Sequence, residues 1–343
     1  LVFCLFSQGI NNVLAIEIFN TPKSPISTVL IAILLGILMG NAFTPRPGMM
    51  IGLDFTQQYI LKLGIIFLGI RLSFADLIKF GSIAIPLVIF CIVGVLILIK
   101  LLIKKVPISS KMSYLIAIGT SVCGATAIVA TAPVINAKKT EVAYAIANIT
   151  LFGVIAMLVY PYFAEWYFDN NSIEAGLFLG TSIHETSQVA AAGLIYDQQF
   201  NNPATLDVAT VTKLIRNTFL VILIPLFAFL YNRGEIKDQN YSILSIFPYF
   251  VIGFIGMIIV RNLGDQFFSI ENNNFYIWSK FIEYLKILAT VFLTMAMAAV
   301  GISINLSELK SMGYKPFIVG LIAAVTVGII SLVYIETVKN FLF

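Results

Sequence analysis

Ile83-Ala84-Ile85-Pro86-Leu87-Val88-Ile89-Phe90-Cys91-Ile92-Val93-Gly94-Val95-Leu96-Ile97-Leu98-Ile99 contains no charged residue. A helix of this length reaches across a hydrocarbon core of about 30 Å, which takes roughly 17–25 apolar residues. Only helices and closed barrels cross lipid, because every backbone polar group there needs a partner within the protein. Barrel strands alternate apolar and polar residues over about ten positions. This run does not alternate, so it reads as a helix. Ile26 to Phe43 and Val208 to Tyr231 read the same way, with few charges in each.

Working outward, the whole chain has this character. Of 343 residues 59% are hydrophobic and 11% charged, and the mean hydropathy is +0.96, far from soluble usage. About eleven hydrophobic segments are expected, centred near Leu14, Leu34, Ile66, Ile92, Cys123, Thr150, His184, Leu220, Phe254, Val291 and Ala324. Turn-forming stretches separate them, among them Thr21-Pro22-Lys23-Ser24-Pro25 and Asn272-Asn273-Asn274. The apolar start lacks the basic leader and cleavage pattern of a signal peptide, so a span is expected there. The fold class is therefore all-α and polytopic, with residues 1–343 forming a single integral membrane domain. Cys4, Cys91 and Cys123 give no disulfide framework or metal spacing. The net charge of +4 is scattered, which excludes the concentrated basic face of a nucleic-acid binder. Lys and Arg are shared almost equally between alternate loops, so membrane orientation stays open.

Two internal likenesses suggest duplication. Gly69-Ile-Arg-Leu-Ser-Phe-Ala-Asp76-Leu77, with Gly81 beyond it, recurs as Gly301-Ile-Ser-Ile-Asn-Leu-Ser-Glu308-Leu309 with Gly313, always 232 residues on (69 to 301, 81 to 313). These fall on the third and tenth segments, which would cross in opposite directions. Inverted repeats of this kind, here in halves of roughly 1–135 and 173–343, characterise secondary transporters. Gly119-Thr-Ser-Val-Cys-Gly-Ala-Thr126 also resembles Gly180-Thr-Ser-Ile-His-Glu-Thr-Ser187. One spanning helix between these two would leave them parallel, whereas an inverted pair must be antiparallel. Either the count between Pro133 and Ser172 is off by one, or the likeness reflects shared chemistry.

Both segments carry polar and small residues at mid-span that are candidates for substrate binding: Thr120, Ser121, Cys123, Gly124, Ala125 and Thr126 in one, and Ser182, His184, Glu185, Thr186 and Gln188 in the other. Glycine, with Ser and Thr competing for backbone bonds, favours unwound helix there. Non-helical backbone at that depth survives only in packed protein or beside a wet cavity. Broken helices expose N-termini that attract anions, expected near Cys123 to Thr126 and His184 to Ser187. Small residues that let helices pack closely are the plainer reading of Thr120, Ser121 and Thr126. His184 and Glu185 are harder to dismiss, since each charge at bilayer centre costs about 2.5–3.5 kcal/mol on insertion scales. Lys213, Arg216 and Asn217 share one helix face and offer charge for an anion or a partner for Glu185. Arg71 and Lys62 are weaker candidates, and Glu141 reads as the acidic first turn of a helix. A zinc protease is excluded, because position 188 holds Gln where His-Glu-x-x-His needs His.

The stretches Gly119 to Pro133, Glu141 to Ala147, Ser182 to Gly193 and Lys213-Leu-Ile-Arg-Asn217 resemble the sulfate exporter family of bacterial inner-membrane proteins. The likeness runs from about Ile31 to Leu332. That family is grouped with cation/proton antiporters and bile acid sodium symporters. The resemblance implies a panel domain plus a core domain, with discontinuous helices crossing at the midplane. It places functional residues at Cys123, Gly124, His184, Glu185, Gln188, Lys213, Arg216 and Asn217. The expectation is a secondary transporter of a small anion such as sulfate or sulfite, working by alternating access. It would use no cofactor, with H⁺ or Na⁺ as coupling ion and His184 and Glu185 as the ion-coupling pair, since His titrates nearest physiological pH. An anion channel is the alternative, and a membrane-embedded enzyme built on Ser182 or Cys123 with His184 is the less favoured one. The partners expected are the anion and the lipid bilayer, with a homodimer open and no nucleic acid.

Overall fold

The computed structural model describes residues 2–14, 27–43, 47–102, 109–232, 249–268, 275–305 and 314–342. Every element among them is helical. In chain order they are α1 (Val2–Val13), α2 (Thr28–Ala42), α3 (Pro47–Arg71), α4 (Phe74–Leu102), α5 (Ser110–Ser121), α6 (Ala125–Thr131) and α7 (Lys139–Phe168). Then follow α8 (Ser172–Ser182), α9 (Thr186–Phe200), α10 (Pro203–Thr218), α11 (Leu220–Asn232), α12 (Phe250–Phe267), α13 (Phe275–Ser303) and α14 (Tyr314–Leu342).

Among the described residues, 7 helices are long and apolar enough to cross a membrane: Pro47–Arg71, Phe74–Ile99, Lys139–Phe168, Pro203–Phe227, Phe250–Phe267, Phe275–Ser303 and Phe317–Lys339. The chain is a multi-pass membrane protein. On α4 the burial pattern shows why a uniformly apolar sequence suits lipid. Ala84, Leu87, Val88, Cys91 and Val95 are buried, while Ile78, Ile85, Ile89, Val93 and Ile97 stay exposed on the other face. An exposed apolar stripe of that length is stable only against hydrocarbon.

The seven long helices account for the expected centres near Ile66, Ile92, Thr150, Leu220, Phe254, Val291 and Ala324. The centre near Leu34 is the shorter apolar helix Thr28–Ala42. Leu14 sits at the end of α1, beside residues 15–26, which lie outside the described set. The centres near Cys123 and His184 fall in breaks between short helices, at 122–124 and 183–185.

The chain divides into two compact units. One draws on residues 1–79, 190–207 and 249–306. In it α13 packs against α2 and α3, and α12 against α3. Glycines set the α2–α13 approach: a Cβ on Gly36 would stand 2.5 Å from the Ala298 carbonyl oxygen and 3.0 Å from the Gly301 Cα. Gly301, the start of the second copy of the long repeat, is thus a packing residue in the last turn of α13. Its matching Gly69 lies in the last turn of α3, against the Phe254 carbonyl. Asp76 forms a reciprocal cap with Ser73, its Oδ2 accepting the Ser73 amide at 3.1 Å while Ser73 Oγ accepts the Asp76 amide at 3.1 Å. The counterparts Glu308, Leu309 and Gly313 lie outside the described residues.

The other unit draws on residues 80–189, 208–248 and 307–343. Its frame is α7, with α5, α6, α8 and α14 packed against it. Here the topology departs from a simple run of spans. Lys111 Nζ, at the start of α5, donates to the Asn136 carbonyl at 2.6 Å, beyond the end of α6. Ser109 Oγ donates to Glu141 in the first turn of α7, and Glu141 Oε2 accepts the Lys138 amide at 2.8 Å. The segment α5–α6 is therefore a hairpin that enters and leaves at the same end of α7. This corrects the expectation of a span centred on Cys123, and it explains the parallel–antiparallel conflict. With the fifth segment turning back, α7 alone crosses, and α8 enters from the opposite end. Ring contacts of Phe178 with Tyr160 and Phe163, at 5.1 and 5.5 Å, show α8 returning antiparallel along α7. Glu141 has the helix-start role expected of it.

Candidate functional site

Two helices end where glycine and hydroxyl residues interrupt the winding. Helix α5 stops at Ser121, and Gly124 takes φ 67° and ψ −126° before α6 begins. A side chain is strained in that backbone region. A Cβ there would also collide with the Glu185 side chain, so glycine is required twice over. Helix α8 stops at Ser182, and Ile183 turns extended at ψ 140°. Ala125, the first residue of α6, donates its amide to Glu185 Oε1 at 3.4 Å, so the two breaks adjoin. Their depth can be read on α7, where Gln188 Nε2 donates to the Thr150 carbonyl at 3.4 Å. Gly153 leaves the space that its carboxamide fills. Thr150 and Gly153 lie at the middle of the 30-residue α7.

A helix end leaves its last carbonyls without partners and carries about half a negative charge. Two such ends meet here, and α10 supplies the cations that satisfy them. Lys213 Nζ donates to the carbonyls of Val122 at 2.9 Å, Ile183 at 3.0 Å and His184. Arg216 donates from Nε to Ser121 O at 2.8 Å, from Nη1 to Thr181 O at 2.5 Å and Ile183 O at 3.3 Å, and from Nη2 to Thr120 O. Both side chains are 0% exposed. One further helix face thus ties both broken segments. Asn217, on the same face, donates to Thr186 Oγ1 at 2.9 Å.

The residues singled out from sequence fall into this one region. Thr120, Ser121, Ser182, His184, Gln188, Lys213, Arg216 and Asn217 are buried. Cys123, Ala125, Glu185 and Thr186 are half-buried, Gly124 is buried and Thr126 is exposed. Glu185 accepts the Ala125 amide, and its own amide donates to Gln188 Oε1 at 3.2 Å. Several buried polar atoms have no partner among the described residues: Thr120 Oγ1, Ser121 Oγ, Ser182 Oγ, Thr212 Oγ1, Asn217 Oδ1 and both ring nitrogens of His184. Such atoms each cost about 1–3 kcal/mol when left unpaired. They concentrate unmet hydrogen-bonding capacity at one place, beside the two breaks. No group of His, Cys, Asp and Glu among the described residues is arranged to hold a metal ion.

Sequence reasoning missed three features. Lys213 and Arg216 point at backbone, which only the three-dimensional meeting of two helix ends makes attractive. Thr181 Oγ1 and Ser331 Oγ bond at 2.7 Å, joining α8 to α14, and nothing in the sequence around Ser331 signals that partner. Arg71 forms an ion pair from Nε to Asp207 Oδ1 at 2.8 Å and from Nη2 to Asp197 at 3.4 Å, and donates to the Pro203 carbonyl at 3.1 Å. It clamps the α9–α10 turn, and no motif signals that role.

The chain matches the family described as Conserved hypothetical protein 698 over residues 1–320. It is 35% identical over 303 residues to a UPF0324 membrane protein of Streptococcus agalactiae, covering 87% of this chain and 86% of that one. It is 34% identical over 323 residues to one of Fusobacterium nucleatum, with coverage of 92% and 91%. With one of Pasteurella multocida it shares 35% identity over 304 residues, covering 86% and 84%. No solved structure matches.

Proposed function

The chain belongs to the family described as Conserved hypothetical protein 698, and from that premise we propose that it is a secondary active transporter of a small anion in the bacterial inner membrane. The observation that carries the reading is the set of unpartnered polar groups beside two buried cations at the double break. Lys213 and Arg216 are fully buried there against one carboxylate, Glu185, with unpartnered hydroxyls and the His184 ring beside them. The helix C-termini offset part of that positive charge, and the unpartnered hydroxyls and the imidazole remain as groups that a bound anion would satisfy. The donors of Lys213 face carbonyls, so the cations attract an anion through their field. Direct contacts fall to Ser121, Ser182, His184, Thr186 and the half-buried Cys123.

Sulfate and sulfite are the substrates favoured by the resemblance to sulfate exporters, both compact and rich in acceptor oxygens. Alternating access between inverted halves, in a panel-plus-core arrangement, is supported by the opposed entry of α5 and α8. Coupling to H⁺ through His184 and Glu185, or to Na⁺, supplies the driving force, and a homodimer is compatible with the fold. Among the described residues Ser182 Oγ and both His184 nitrogens have no hydrogen-bond partner, so the transport reading is favoured over a nucleophile–base pair. An anion channel is the second reading, since a wet polar midplane serves either.

The test uses purified protein in liposomes loaded with labelled sulfate or sulfite. A transporter gives saturable counterflow and accumulates label when a pH or Na⁺ gradient is imposed. Flux without counterflow identifies a channel, and no flux of either oxyanion removes both as substrates.

A further inference from the structure

The carbonyls where the two helices break form a cation site, and the protein fills it with its own side chain. Val122 O, Ile183 O and His184 O converge on Lys213 Nζ from two segments that enter from opposite ends of α7. An ammonium has three N–H groups, and each of these carbonyls accepts one. The same geometry, oxygens replacing a hydration shell around one positive charge, is how carbonyl-lined sites hold alkali cations. The electrostatics agree, because two helix C-termini meeting end to end bring about one unit of negative charge together. Arg216 holds the neighbouring carbonyls of Thr120, Ser121 and Thr181.

We infer that the Lys213 ammonium is a tethered replacement for a coupling alkali cation at the junction of the two broken helices, so that this junction works without Na⁺. The inference rests on the same broken-helix site as the proposed function and chooses between its two coupling ions. It does not depend on any anion being carried. Lysine suits the role better than arginine, being a compact point charge on a flexible stem. Its removal vacates the volume that its ammonium fills beside the three carbonyl oxygens. Lys213→Ala opens that space, whereas Lys213→Met removes the charge and keeps the space filled.

The experiment follows thermal unfolding in detergent by the fluorescence of Trp166 and Trp278, without substrate. Na⁺, K⁺, ammonium and methylammonium are each titrated at constant ionic strength with choline. Wild type is expected to be insensitive to the identity of the cation. Lys213→Ala unfolds at a lower temperature and regains stability with ammonium and K⁺, which match the size of the lost group. The midpoint rises by a constant step for each tenfold increase in cation once binding saturates. Lys213→Met gains nothing. Equal behaviour of the two variants, or a Na⁺-specific rise in wild type, overturns the inference, and the wild-type arm decides even where a variant fails to fold. Absence of flux in liposomes would count against the transport reading and leave this one standing.

Discussion

At the residue scale the site is defined by which groups are already bonded and which are not. His184 is 1% exposed, yet neither ring nitrogen has a partner among the described residues. Replacing it with Gln removes no hydrogen bond between protein side chains, so His184→Gln should shift the unfolding midpoint by little while abolishing anion flux. Unchanged uptake by that variant would remove His184 from the site. Arg216 is the opposite case, because its guanidinium bonds four carbonyls. Lysine at that position reaches at most three and cannot span them in one plane. Arg216→Lys should cost about 1–3 kcal/mol for each buried carbonyl it leaves unpaired, and should appear as a lowered unfolding temperature and loss of folded protein on size-exclusion chromatography. Gly124→Ala combines a backbone penalty of about 1–3 kcal/mol with the collision against Glu185. Adding Glu185→Ala should recover part of that loss, and a double-mutant cycle in thermal stability measures how much. Strict additivity would show that the glycine is needed for its backbone alone.

At the element scale the helices are held by close approach as much as by bulk apolar area, because lipid offers helices no hydrophobic reason to associate. Gly36 and Gly52 make the point with opposite signs. Both sit inside helices, where Ala is favoured over Gly by about 0.8–1.0 kcal/mol. A Cβ on Gly52 meets nothing within 4 Å, while one on Gly36 meets the backbone of α13. Gly52→Ala should therefore raise the unfolding temperature slightly, and Gly36→Ala should lower it clearly. Two shifts of the same sign would mean that α2 and α13 do not pack as described. The long helices were legible from sequence because an unbroken apolar run has one interpretation at that length. The breaks were legible too, since Gly119, Gly124 and the hydroxyls around them disfavour continued winding. What could not be read was where α6 goes. A polar interruption looks the same whether the chain carries on or turns back, and that choice rests on Lys111 meeting Asn136. The candidate residues were likewise found by type and depth. The use of Lys213 and Arg216 against carbonyls depends on two helix ends meeting, which local pattern does not encode.

At the scale of the whole molecule, that one hairpin decides the parity of everything after it. If α5 and α6 together crossed the membrane, Ser110 and Lys139 would lie on opposite faces. Residues 170 and 139 would still be separated by the single span α7. In the structure Ser110 and Lys139 are both exposed at the same end of α7, and Asn170 is exposed at the other. Single cysteines at these positions, in a background with Cys4, Cys91 and Cys123 replaced, turn the distinction into a labelling experiment. A membrane-impermeant maleimide applied to intact cells should treat Ser110→Cys and Lys139→Cys alike and Asn170→Cys oppositely. The result after permeabilisation confirms that all three react once exposed. Opposite labelling of positions 110 and 139 would restore a crossing segment and make α5 and α8 parallel. Their C-terminal carbonyls could then no longer meet head to head on Lys213 and Arg216, and the charge argument for an anion at mid-membrane would lose its geometry.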